Sequence, residues 1–223
     1  MNAARPKPKA AKLVASPLGS AKEAIGVIAP GCRVVGVNKC QFSLLDLVTA
    51  VIEQIGPSDL TIATWTPGKA EMESVFQMLR TRKIVNFRLL VDRSFPTRQP
   101  QYIKRLHEIT GSESVRQTRT HAKFALIRAG DYRITIRTSM NFNRNTRLEQ
   151  FDLDDDPVIY DFFETVIGEI FTVVPPGLDV SGSKINTAFN VLQLGNHDQS
   201  ARTKAKDEQK KRGFRFSGFR VGK

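Results

Sequence analysis

Residues 120–151 read T-H-A-K-F-A-L-I-R-A-G-D-Y-R-I-T-I-R-T-S-M-N-F-N-R-N-T-R-L-E-Q-F. Apolar and polar residues alternate from His121 to Ile127 and again from Tyr132 to Thr138. A period of two belongs to strands, so the spacing predicts a strand pair. Arg128-Ala129-Gly130-Asp131 is the predicted hairpin turn, with Gly130 free to take positive φ. His121 and Lys123 stand two residues apart, which on a strand puts both side chains on one face. Ser139 and Asn141 follow the second strand. A hairpin closed near Gly130 lays that end beside the start of the first strand, and Glu149 is close enough in sequence to join. A nucleophile or base, a fixed cation and neutral hydrogen-bonding groups at one spot are suited to handling a phosphate.

Outward from the hairpin, strands alternate with helices. Arg33–Val37 reads as a short strand. Ser43 is placed to cap a helix of about a dozen residues, with Leu44, Leu47, Val48, Val51, Ile52 and Ile55 on its apolar face and Gly56-Pro57 as its stop. Asp59–Trp65 reads as a buried strand. Pro67-Gly68 leads into a helix with Met72, Val75, Phe76 and Leu79 on one side, a core stripe. Ile84–Asp92 is the next strand, residues 93–99 a loop, and Tyr102, Ile103, Leu106 and Ile109 mark a third helix. His107 within it reads as a surface or boundary histidine. Leu148–Leu153 reads as a strand carrying Glu149. Asp154-Asp155-Asp156 before Pro157 reads as an acidic helix start rather than a metal cluster. The helix that follows runs to about Phe171, with Ile159, Phe162, Phe163, Val166 and Ile170 assigned to the core. This order predicts an α/β fold: a mixed, largely parallel sheet flanked by helices on both faces. Ligands of such sheets bind beyond the carboxyl ends of the strands. Trp65 and Thr66 lie at one such end and are candidate substrate contacts, core packing being the plainer role for Trp65.

The chain has 223 residues, a net charge of +12 and a pI near 10.0. That length suits one domain with tails. Residues 1–30 are expected to be a flexible basic arm, 31–177 the catalytic domain, and 178–223 an extension with a basic, Phe-containing tail. Residues 178–200 are ambiguous as to structure. Disordered basic tails and an excess of Lys and Arg favour a polyanionic partner, nucleic acid ahead of an anionic membrane surface. In the tail, Lys210, Lys211 and Arg212 lie close to Phe214 and Phe216; cations meet phosphates and rings stack on bases. The two cysteines, Cys32 and Cys40, make no zinc site. No apolar run reaches the length of a membrane span, and a cytoplasmic, soluble protein is expected.

The 120–151 stretch resembles the phospholipase D superfamily motif, written H-x-K, four residues, D, then G-S-x-N and a downstream acid. His121, Lys123, Ser139, Asn141 and Glu149 match it. Arg128 stands where the motif has Asp, and Thr138 where it has the Gly of G-S-x-N. The resemblance implies a phospholipase D-like fold and a metal-independent phosphodiesterase with no cofactor. It also implies two H-x-K motifs per active site. This chain carries one, so a homodimer with one His121 from each subunit is expected. The implied roles are nucleophile and general acid for the two His121 side chains, oxygen-holding for Lys123, Asn141 and Ser139, and orientation of the imidazole for Glu149. Arg144 and Arg147 add charge for substrate. The implied substrate is DNA, or RNA, cut endonucleolytically through a phosphohistidine. Two other readings are a non-catalytic nucleic-acid-binding module on the same fold and a lipid-head-group phosphodiesterase.

Overall fold

The hairpin expected from residues 121–138 lies near the middle of an eight-stranded sheet. The computed structural model describes residues 10–15, 19–98, 100–142, 147–178 and 180–194. In chain order the strands are β1 (Lys12–Ala15), β2 (Arg33–Lys39), β3 (Ser58–Thr64), β4 (Ile84–Asp92), β5 (Val115–Thr118), β6 (Phe124–Ala129), β7 (Tyr132–Thr138) and β8 (Leu148–Asp155). The helices are α1 (Ala21–Ile25), α2 (Leu44–Ile55), α3 (Lys69–Arg80), α4 (Phe95–Arg98), α5 (Gln101–Thr110), α6 (Pro157–Val173) and α7 (Gly182–Val191). Met1–Leu192 make one compact unit; the second, Gln193–Lys223, is described only at Gln193 and Leu194.

The sheet order is β1-β2-β8-β7-β6-β3-β4-β5. The pairs β1–β2, β3–β4 and β4–β5 are parallel, whereas β2–β8, β8–β7, β7–β6 and β6–β3 are antiparallel. The mixed α/β sheet stands as expected, but its centre is antiparallel. The hairpin and β8 insert between β2 and β3, and this separates two strands that a simple βα reading makes neighbours.

Helices cover both faces, because the buried strands are apolar on both sides. On β6, Ala125 and Ile127 join one core cluster, with residues of α1, α2, α3 and α5, while Phe124 and Leu126 join a second, with Tyr160, Ile167, Ile170 and Ala188 of α6 and α7. Ser43 caps α2 as expected: its Oγ accepts from Asp46 N at 3.3 Å, and Ser43 N donates back to Asp46 Oδ2 at 2.8 Å. Gly56 closes that helix at φ 89°, a conformation that favours glycine.

Several expectations change. The first thirty residues are not all a loose arm: Lys12–Ala15 pair with β2, and Ser20 with Glu23 forms a capping box on α1. Met1–Lys9 lie outside the described residues. The 93–99 loop contains α4. Strand β5, four residues with all side chains buried, was not expected; it is too short and polar for a period to show. The domain does not end at Gly177, since Leu178 and Ile185 are buried and α7 packs on the sheet. On α6 the buried positions are Tyr160, Ile167 and Ile170, whereas Phe162 is 46% exposed. An apolar residue on nearly every turn left its core face unreadable.

The acidic trio is also corrected. Only Asp156 caps α6, accepting from Val158 N at 3.0 Å. Asp154 and Asp155 end β8. Asp155 accepts from Gly31 N at 2.7 Å and Arg133 N at 2.9 Å. Asp154 is ion-paired with Arg33 at 3.0 Å and hydrogen-bonded by Arg137.

Gly36 on β2 faces the ring of Phe151, and a Cβ there would stand 2.6 Å from it. Phe151 is fully buried and cannot swing away. Gly36→Ala is therefore expected to destabilise the fold by about 1–3 kcal/mol through overpacking. A urea titration reads this, and Phe151→Leu in the same chain should recover part of the loss.

Candidate active site

Strand direction brings the expected residues to one end of the sheet. The carboxyl ends of β3, β4, β5 and β7 meet the amino ends of β6 and β8 there. His121 and Lys123 lie in the lead-in to β6 rather than on the strand itself. That segment is held by hydrogen bonds from Thr120 N to Asp92 Oδ2 at 3.3 Å, from Ala122 N to Thr120 Oγ1 at 3.1 Å and from Thr138 N to Lys123 O at 3.1 Å.

Beyond β7 the chain alternates again. Met140 and Phe142 are buried, at 2% and 0% exposed, and pin the segment to the core. Met140 Sδ accepts from Asn38 Nδ2 at 3.0 Å, Phe142 N donates to Thr64 Oγ1 at 3.2 Å, and Gly68 N donates to Phe142 O at 2.8 Å. Ser139 and Asn141 fall between these anchors. Ser139 is exposed; its Oγ donates to Glu149 Oε2 and accepts from Gln150 N at 3.0 Å. Asn141 is half-buried, and its Oδ1 has no hydrogen-bond partner among the described residues. A buried amide oxygen left so is costly unless a ligand or water supplies a donor.

The exposed His121 ring leans on Trp65, with centroids 5.8 Å apart and planes at 48°. Lys123 Nζ lies 3.2 Å from His121 Nδ1 and donates to His121 O at 3.1 Å. An ammonium has protons and no lone pair, so Nδ1 is the acceptor and a neutral imidazole carries its proton on Nε2. Burial pushes the Lys123 ammonium below the ordinary lysine range, and the nearby Glu149 carboxylate works in the opposite direction. Glu149 bonds Ser139 rather than His121 among the described residues.

Trp65 is thus beside the imidazole and not core filler. Arg98 also lies over its ring, 4.5 Å from the centroid. Thr66 is half-buried next to it, its hydroxyl unpartnered among the described residues. Arg147 is exposed before β8. Arg144, Lys210, Lys211 and Arg212 lie outside the described residues. Arg98 was missed in the sequence because it sits on one short helical turn with no periodicity to mark it.

Both departures from the motif have local partners. Arg128 pairs with Asp59, its neighbour across β3–β6, with Nη2 to Oδ2 at 2.7 Å. Burial opposes ionisation of Asp59, but hydrogen bonds from Arg128 and Asn86 outweigh it and hold the carboxyl below its usual range. Thr138 Oγ1 donates to Gln150 O at 2.6 Å and accepts from Met140 N at 3.0 Å, so the hydroxyl fastens the Ser139 segment to β8.

The chain matches no family model and no curated protein. Among solved structures it is similar to NucT from Helicobacter pylori, at 14% identity and TM-score 0.47, over 65% of this chain and 99% of that one. It is similar to Nuc from Salmonella typhimurium, described as a phospholipase D family member, at 14% identity and TM-score 0.47, over 65% of this chain and 96% of that one. It is also similar to phosphatidylserine synthase from Haemophilus influenzae, at 13% identity and TM-score 0.47, over 80% of this chain and 46% of that one. The chemistry rests on this chain's own residues. No helix among the described residues is long and apolar enough to cross a membrane.

Proposed function

We propose that the chain is a phosphodiesterase that cuts nucleic acid, DNA ahead of RNA, through a phosphohistidine on His121. The observation that carries this reading is the placing of Lys123 Nζ 3.2 Å from His121 at the strand end that also holds Ser139 and Glu149. An imidazole held beside a lysine ammonium and hydroxyl and amide groups matches the needs of phosphoryl transfer: a nucleophile, and positive charge where the equatorial oxygens gain density.

One chain supplies one such histidine, so the proposed enzyme is a homodimer with two facing imidazoles. His121 Nε2, in its unprotonated form, attacks phosphorus and forms a P–N bond. The P–O bond to the leaving strand breaks, and the leaving oxygen takes a proton from the partner's His121. That imidazole then removes a proton from water, whose oxygen attacks phosphorus and breaks the P–N bond. The two imidazoles start in opposite protonation states, one as nucleophile and one as acid. Lys123, Asn141 and Ser139 hold the non-bridging oxygens. Binding of substrate by Lys123 frees Nδ1 of His121. The neutral ring then takes the tautomer with its proton on Nδ1, where Glu149 is the nearby carboxylate proposed to accept a hydrogen bond from it, and Nε2 is left unprotonated for attack.

In this scheme the charge on the phosphate is met by protein groups. Plasmid or oligonucleotide cleavage is therefore expected to continue in EDTA, with light scattering giving twice the chain mass. Loss of activity in EDTA with recovery in magnesium would replace the scheme by a metal-dependent one. Tight nucleic-acid binding without cleavage under either condition would assign the groove to a binding module.

A further inference from the structure

We propose that Arg98, Arg93 and Arg119 form a phosphate track that leads a nucleic-acid strand from His121 across the ends of β4 and β5 toward α7. This rests on the nucleic-acid reading and narrows it: the substrate is a polynucleotide gripped at several phosphates, not a single small phosphodiester. The residues lie just past the strands that carry them. Arg93 follows β4, Arg119 follows β5, and Arg93 N donates to Thr118 O at 2.8 Å, which ties the two ends together. Arg98 joins them to the imidazole by way of Trp65, which it covers at 4.5 Å while His121 leans on the same indole.

Pairing separates these arginines from six others. Arg33, Arg88, Arg105, Arg116, Arg128 and Arg137 each pair with a carboxylate. Arg93, Arg98 and Arg119 are exposed and have no such partner among the described residues. Two of them rest on aromatic rings without such a carboxylate, Arg98 on Trp65 and Arg119 on Phe189 at 5.1 Å, whereas the ring-seated Arg88, Arg105 and Arg116 are also ion-paired; Arg93 Nη1 donates to Asn186 Oδ1 at 3.4 Å. A guanidinium lying on a ring is oriented by its face and keeps N–H groups at its edge for phosphate oxygens. The carboxylate at this strand end, Asp92, is taken up by Ser94 N at 2.9 Å and Thr120 N at 3.3 Å, so it offsets the positive field without pairing with the track. From β3 to β5 is two strand spacings, about 10 Å, more than one phosphate group covers.

The test is binding of the full chain to a fluorescein-labelled, cleavage-resistant phosphorothioate 12-mer, read by anisotropy over a salt series. DNA and RNA forms of the strand are run in parallel. Arg93→Gln and Arg119→Gln are each expected to weaken binding roughly 3- to 10-fold and to lower the log–log salt slope by about 0.7 per lost contact. Arg93→Lys and Arg119→Lys should keep most of the slope, which separates lost charge from lost folding. Lys83→Gln removes an exposed charge at the amino end of β4, away from the track, and should change neither quantity. Loss for one sugar type only assigns the track to that nucleic acid. Equal loss with Lys83→Gln, or unchanged slopes in the arginine variants, overturns the track. So does unchanged strand binding with weakened binding to phosphatidylglycerol vesicles. Failure of the wild-type chain to cut an unmodified strand would instead remove the nuclease reading and leave the binding result standing.

Discussion

His121→Ala is expected to remove strand cleavage, with a loss on the order of 10⁴-fold, because the variant has neither the attacking nitrogen nor, in a dimer, the proton donor. Lys123→Ala should cost roughly 10²- to 10³-fold, the range for one lost charge-stabilising donor. The two differ in pH dependence. Burial lowers the Lys123 pKa, so the ammonium is lost at a lower pH than an ordinary lysine requires, and the alkaline limb of the rate profile should come early. Lys123→Arg should move that limb out of range, since a guanidinium keeps its proton. Single-turnover rates on a labelled oligonucleotide from pH 5 to 10 give both results. Full activity in His121→Ala would place the nucleophile elsewhere.

Asp154→Ala is expected to act on the fold instead of the chemistry. Asp154 is 2% exposed and joins Arg33 of β2 to Arg137 of β7 at the far end of β8 from Glu149. Removing it leaves Arg33 without its ion pair and Arg137 with Asp152 at 4.0 Å. A fully buried pair broken this way costs about 3–5 kcal/mol, and part-exposed arginines recover some of that from water, so about 2–3 kcal/mol is expected. A urea midpoint shift with an unchanged m-value reads the loss. Asp154→Asn should cost less, as an acceptor oxygen remains. A variant with unchanged stability and lost, magnesium-restorable cleavage would make this acid a metal ligand.

What the sequence made legible was local. The alternation in residues 121–138 carries a strand pair, and Gly130 does adopt φ 52° between them. Ser43 and Gly56 mark the ends of α2 because caps answer to hydrogen bonds only a few residues apart. The closeness of the His121–Lys123 segment to Ser139 follows from hairpin geometry, whereas Glu149 reaches Ser139 through the pairing of β7 with β8. Long-range pairing was not legible. Nothing within residues 33–39 says that β2 will choose β8, so the antiparallel centre was misjudged. Nor does the run Asp154-Asp155-Asp156 show that Asp154 will meet the side chains of Arg33 and Arg137 and Asp155 the backbone N–H groups of Gly31 and Arg133. Arg98 and the aromatic seats of Arg98 and Arg119 were hidden for the same reason: a ring contact across elements leaves no period.

The insertion of β8 beside β2 also sets an order in time. Val34 pairs with Leu153, so β2 waits for a partner that leaves the ribosome roughly 120 residues later. Until then β1 and β2 can pair with each other and with α2, but one edge of β2 lies open. Contacts this distant in sequence slow folding, because a long loop must close before they form. In the nascent chain the last strand of the sheet is the one that joins its two halves. A chain stalled before β8 would therefore hold a built β3–β4–β5 layer, an open strand edge, and Ser139 without the Glu149 carboxylate it bonds.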